Sequence, residues 1–84
     1  MTTFRQAISY TNAQNKKVLL LIEPWAEHYW IEPGMTVDVV GEGREADAKF
    51  ELQHTSEELI VYGWTDSVVI VMHEGSQLDP SPQE

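Results

Sequence analysis

Apolar and polar residues alternate along much of this chain with a period of two. In Lys49-Phe50-Glu51-Leu52-Gln53-His54, Phe50 and Leu52 stand between charged or polar neighbours, and Met35-Thr36-Val37-Asp38-Val39 repeats the pattern. Successive side chains of a strand point to opposite faces, so both segments predict half-buried strands with one wet face. The runs Val18-Leu19-Leu20-Leu21-Ile22 and Ser67-Val68-Val69-Ile70-Val71-Met72 are apolar on both faces and predict central strands covered on both sides. Leu59-Ile60-Val61-Tyr62 predicts a further strand, and residues 6–11 a first one. No window of useful length carries a helical repeat. Residues 43–49 offer only Ala46 and Ala48 as apolar positions, which predicts a loop or at most one turn.

Turn chemistry punctuates these runs. Asn12-Ala13-Gln14-Asn15 separates the first two strands, because asparagine tolerates the left-handed backbone of tight turns. Glu23-Pro24 ends the second strand, since proline has no N–H for the ladder. Pro33-Gly34 is a type II turn signature, with φ preset by proline and a positive φ supplied by glycine. Gly41-Glu42-Gly43-Arg44-Glu45 predicts a mobile surface loop, while Thr55-Ser56-Glu57-Glu58 and Thr65-Asp66-Ser67 predict two further connections. The reading is all-β: a single small antiparallel β-sandwich of about seven strands over residues 1–75. Residues 76–84 hold one large apolar side chain and two prolines without any pattern, and are expected to form a disordered tail.

Composition narrows the function classes. With 84 residues, 42% hydrophobic and 23% charged, the chain fits one soluble globular domain. Five Lys and Arg against 14 Asp and Glu give a formal charge of -9. That balance opposes direct contact with nucleic acid or an anionic membrane, both of which select cations. Cysteine is absent, which removes thiolate nucleophiles, disulfides and cysteine-ligated metal. The first residues lack the charged and apolar regions of a signal peptide, so a cytoplasmic location is expected.

The segment from Leu21-Ile22-Glu23-Pro24-Trp25 through Pro33-Gly34-Met35-Thr36-Val37-Asp38-Val39-Val40, followed by Val61-Tyr62-Gly63-Trp64, resembles a group of small bacterial proteins. These share a Glu-Pro-Trp strand exit, a Pro-Gly turn and an aromatic strand. The resemblance spans about residues 8–74 and implies a compact cupredoxin-like or cupin-like β-sandwich. No activity comes with it.

Glu23-Pro24-Trp25-Ala26-Glu27-His28-Tyr29-Trp30-Ile31-Glu32 gathers carboxylates, one imidazole and three large aromatics within ten residues. Such a cluster suits either a small-ligand or metal pocket, with His28 and Glu23 or Glu27 as ligands, or a strand crossover whose aromatics pack while the acids stay wet. The His-x-His spacing of a cupin metal site is missing, and no metal or other cofactor is expected. His54 and His73 fall in phase with apolar residues near strand ends, as partly buried structural histidines often do. No serine sits in a nucleophile elbow, so no catalytic residue is assigned and an enzyme is the weaker class.

Exposed aromatics favour another role. Tyr62 and Trp64 share a phase on their strand, as His28 and Trp30 do on theirs, and tryptophan and tyrosine are enriched where proteins dock. The leading expectation is a non-enzymatic interaction module. Its binding residues would be Trp25, His28, Tyr29, Trp30, Tyr62 and Trp64, facing a protein partner or a second copy in a homo-oligomer. One alternative is an acidic inhibitor or immunity protein that occludes a basic, nucleic-acid-binding surface; another is a cupin-like metal or small-ligand protein.

Overall fold

A computed structural model describes residues 2–81 of the chain. The strands are β1 (Phe4–Thr11), β2 (Val18–Glu23), β3 (Glu27–Ile31), β4 (Thr36–Gly43), β5 (Glu51–His54), β6 (Glu58–Tyr62), β7 (Val68–His73) and β8 (Ser76–Gln77). They form two four-stranded sheets in the orders β1-β4-β7-β8 and β3-β2-β6-β5. The fold is all-β, as the alternation predicts, and no helix among the described residues is long and apolar enough to cross a membrane.

The two sheets share one core. Val18, Leu20, Ile22, Tyr29, Ile31, Leu59 and Val61 project from one sheet onto Val37, Val39 and Val71 of the other, and all ten are buried. Each comes from every second position of its strand, which is what a period-two pattern requires of a two-layer packing. The chain visits the sheets in turn: β1, the β2–β3 hairpin, β4, the β5–β6 hairpin, then β7 and β8. That path lays β6 parallel to β2, with Leu20 opposite Leu59 and Ile22 opposite Val61. The other strand pairings among the described residues are antiparallel, so the sandwich departs from the expected pattern at this one ladder.

Connections follow the turn chemistry closely. The Pro33-Gly34 turn closes with the Met35 N–H donating to the Glu32 carbonyl at 3.0 Å, and Gly34 has φ of 80°. Asn12 is fully buried between β1 and β2. Its side-chain amide donates to the Lys16 and Ile31 carbonyls at 2.8 and 2.9 Å, and its oxygen accepts the Gln14 N–H. Its backbone bonds Met35 and Gly34, so one residue ties the β1–β2 connection to the β3–β4 turn.

Further features differ from the sequence reading. Residues 41–43, expected within a mobile surface loop, continue β4, and Gly41 and Gly43 are buried beneath the Trp64 ring. β5, expected to be half-buried, is an edge strand on which Leu52 and His54 are exposed. Residues 27–31, read within a crossover, form β3 and pair with β2 through a turn containing a cis Glu23–Pro24 bond. The segment expected to be a tail from residue 76 begins as β8, joined to β7 through Glu74 and Gly75, both at positive φ. Leu78 then packs against the core, its N–H donating to Val71, and the Ser81 N–H reaches the His28 carbonyl at 2.6 Å on the edge of β3. Residues 82–84 of that expected tail lie outside the described residues. Finally, β2 and β7 are interior strands of their sheets but are covered on one face only. Leu19 and Leu21 of β2 and Ile70 and Met72 of β7 stay half-exposed on the outer faces, and Val68 is exposed.

Candidate functional site

The β2–β3 hairpin and β6 give the outer face of their sheet its character. Register places Trp30 opposite Leu19 and, across the parallel ladder, Leu19 opposite Glu58. The next row on that face is His28, Leu21, Ile60 and Gln53, and the following one is Glu23, Tyr62 and Glu51. Leu19, Leu21 and Ile60 therefore form a half-buried aliphatic strip between two aromatics. Four residues at about 3.3 Å each separate the first and last rows by roughly 13 Å. Trp30 is 50% exposed and Tyr62 37%, whereas a core aromatic in so small a domain would be enclosed.

Trp25 caps one end of this face. The turn that carries it is fastened by the Ala26 N–H, which donates to Glu23 Oε1 at 3.0 Å, and Ala26 holds φ of 57°. The indole remains 42% exposed but lies so close to Gly63 that a Cβ there would meet its Cη2 and Cζ3 at 3.0 Å. Trp25, Pro24, Tyr62, Gly63 and Trp64, together with the 65–67 turn, enclose an open hollow of about 450 Å³. Trp25 also forms a wall of a neighbouring hollow of about 180 Å³ with Glu27, Ser67, Val68 and Val69. A third hollow, of about 250 Å³, lies beside Trp30 between Lys16, Lys17, Leu19, Glu57 and Glu58. There Lys16 approaches Glu57 at 3.9 Å and Lys17 approaches Glu32 at 3.7 Å, both pairs being exposed.

The six sequence-derived binding residues thus part company. Trp25, Tyr62 and Trp64 meet at one hollow. His28 and Trp30 share the outer face, as their phase predicts, farther along the sheet. Tyr29 points the other way. It is buried in the core, and its hydroxyl donates to Glu27 Oε1 at 3.2 Å. Burial first, then the Glu27 carboxylate and its hydrogen bond, and last the Asp79 charge push the Tyr29 phenol up to about 12. Tyr10 is also raised, by burial. Trp64 turns in from the end of β6, so Tyr62 and Trp64 do not share one face. Its ring meets Phe50 edge-on, centroids 5.3 Å apart, over Gly41 and Gly43 of β4. Its Nε1 is buried above Gly43 and has no hydrogen-bond partner among the described residues. The 64–67 turn is fixed by the Ser67 hydroxyl, which donates to the Trp64 carbonyl at 2.6 Å and accepts its N–H.

Glu27 and His28 occupy successive positions of β3 and so point to opposite faces of the sheet. His73 places Nδ1 2.9 Å from the Thr36 carbonyl, to which it donates, and His54 is exposed on β5. Among the described residues no three His, Asp or Glu side chains converge as a metal site. Sequence reasoning missed Leu19, Leu21 and Ile60 as surface residues, because a two-sided apolar run reads as a covered strand. Comparison with protein-family models, curated proteins and solved structures finds no match.

Proposed function

We propose that this protein is a non-enzymatic interaction module that docks a protein partner on the outer face of the β3-β2-β6-β5 sheet and its Trp25 end. The observation that carries the reading is the placement of three exposed aromatics, Trp25, Trp30 and Tyr62, around the aliphatic strip of Leu19, Leu21 and Ile60. Exposed aromatic and aliphatic area with a polar rim is the composition of a docking surface. The rim here is Glu23, Glu51, Glu57 and Glu58. It favours a basic partner over a second copy, which would bring its own charge of -9 against the same carboxylates.

The test separates docking from folding. Trp25→Ala and Trp30→Ala should each lower the melting midpoint by no more than several degrees, because neither side chain is enclosed in the core. A photo-crosslinking residue at position 30 should give protein adducts in the native host that the same residue at Asp38, on the outer face of the other sheet, does not. Losses of several kcal/mol of stability in both variants, with unchanged adducts, would assign these tryptophans to the fold instead.

A further inference from the structure

We infer that the hollow between Trp25, Tyr62 and Trp64 receives an arginine side chain of the protein partner, its guanidinium lying against the exposed Trp25 and Tyr62 side chains and beside Asp66. The inference rests on the docking reading above and specifies its chemistry. The hollow is walled by three aromatic residues and one carboxylate, with Thr65 and Ser67 completing the turn. None of the chain's five cations, Arg5, Lys16, Lys17, Arg44 and Lys49, lines it. Asp66 is exposed and takes part in no ion pair among the described residues. Further carboxylates flank the walls: Glu23 and Glu51 stand on either side of Tyr62 in register, and Glu27 shares the Trp25 wall of the adjoining hollow.

Aromatic faces present negative potential, so a cation placed over them is attracted, more strongly where water is displaced. Carboxylates around the same opening add to that potential and disfavour any anionic or plain apolar occupant. Arginine fits better than lysine. Its planar, weakly hydrated guanidinium stacks on a ring and can donate to a carboxylate at its edge, whereas an ammonium keeps its water. The opening adjoins Tyr62 on the sheet's outer face, so a side chain from a protein seated there can enter.

The experiment uses the full chain and three nine-residue Gly/Ser peptides that carry Arg-Arg, Lys-Lys or citrulline-citrulline at the centre. The readouts are the Trp25 indole N–H resonance and the dissociation constant, at low and at physiological ionic strength. The arginine peptide should shift the Trp25 resonance and bind about ten-fold more tightly than the citrulline peptide. Trp25→Ala should abolish that preference and Asp66→Asn should reduce it several-fold. Asn tolerates the left-handed backbone at position 66, where φ is 62°, so the second variant keeps the turn. Equal binding of the lysine peptide would overturn the choice of arginine. Equal binding of the citrulline peptide, lost in Trp25→Ala, would overturn the cation while upholding the aromatic docking end. Arginine binding that is unchanged in both variants and vanishes with salt would reduce it to general attraction by the acidic surface and overturn the site. No response of Trp25 to any peptide at millimolar concentration would overturn it as well, leaving the crosslinking result at position 30 to judge the docking face.

Discussion

Trp64 and Trp25 belong to the same end of the sandwich, yet their surroundings assign them different work. Trp64 lies over β4, where a Cβ on Gly41 would sit 2.8 Å from both the Phe50 and Trp64 rings. Gly41→Ala should therefore cost roughly 1–3 kcal/mol through overpacking, and Trp64→Ala about 3–5 kcal/mol through an emptied core. Trp25→Ala should cost less than Trp64→Ala, about 1–2 kcal/mol, because its side chain is 42% exposed. Chemical denaturation of the three variants checks the order, and a Trp25 loss as large as that of Trp64 would contradict it. Tyr29 supplies a second residue-scale prediction. Its phenol is raised above the ordinary value of 10 to about 12, so the folded state favours the protonated form. The associated stability is fully present below pH 10 and is lost as pH rises toward 12. Phenolate absorbance should show one tyrosine titrating near pH 12 that is missing from Tyr29→Phe, and that variant should flatten the alkaline fall in melting temperature between pH 10 and 12. An unchanged fall would trace it to other groups.

At the scale of elements, the sequence yields most where the rule is local. Alternation of apolar and polar positions marks β4 and β5, a short apolar run marks β6, and Pro33-Gly34 marks the turn before β4, because each depends on a few adjacent residues. The parallel β2–β6 ladder is invisible to such rules, since it joins residues some forty positions apart and depends on where intervening strands go. The outer faces fail for a related reason. Val18-Leu19-Leu20-Leu21-Ile22 does not reveal whether a layer covers both faces, and only the finished two-layer packing leaves Leu19 and Leu21 at the surface. At the site, phase correctly pairs His28 with Trp30, but it misleads for Tyr62 and Trp64, because β6 ends between them and the chain turns at Gly63. Residues 76–81 lacked periodicity for want of length. Two residues make a strand only when β7 is already there to receive them. Leu78, packed on the core, converts that segment into a contributor to stability. Leu78→Ala should cost about 1–2 kcal/mol, less than a fully buried leucine, which amounts to a fall of several degrees in Tm for a domain of this size. A thermal melt with no shift would show the segment to be dispensable.

At the scale of the whole molecule, two opposing features meet: an uncovered apolar strip between aromatics, and a charge of -9. Burial of exposed apolar area draws such faces together at roughly 25 cal/mol per Å² before the costs of association. Like charges on the rim act against a second copy, and they act over about 10 Å at 0.1 M salt. The rim carboxylates Glu23, Glu51, Glu57 and Glu58 stand within or beside the strip, well inside that range, whereas Lys16 and Lys17 answer only the Trp30 end. The balance at neutral pH therefore lies with repulsion. It shifts as pH approaches the pI of about 4.5, where the net charge falls to zero, or when salt screens the rim. Sedimentation should accordingly find a monomer at pH 7 in low salt and reversible association at pH 4.5 or in molar salt. Trp30→Ser, which removes the most exposed aromatic of the strip without adding charge, should suppress that association while leaving the fold intact. A stable dimer at pH 7 in low salt, abolished by Trp30→Ser, would mean that the face is complementary to itself and that the second copy is its partner. Association at pH 4.5 that ignores Trp30→Ser would place the sticky surface on the other sheet, where Val68 and Ile70 lie.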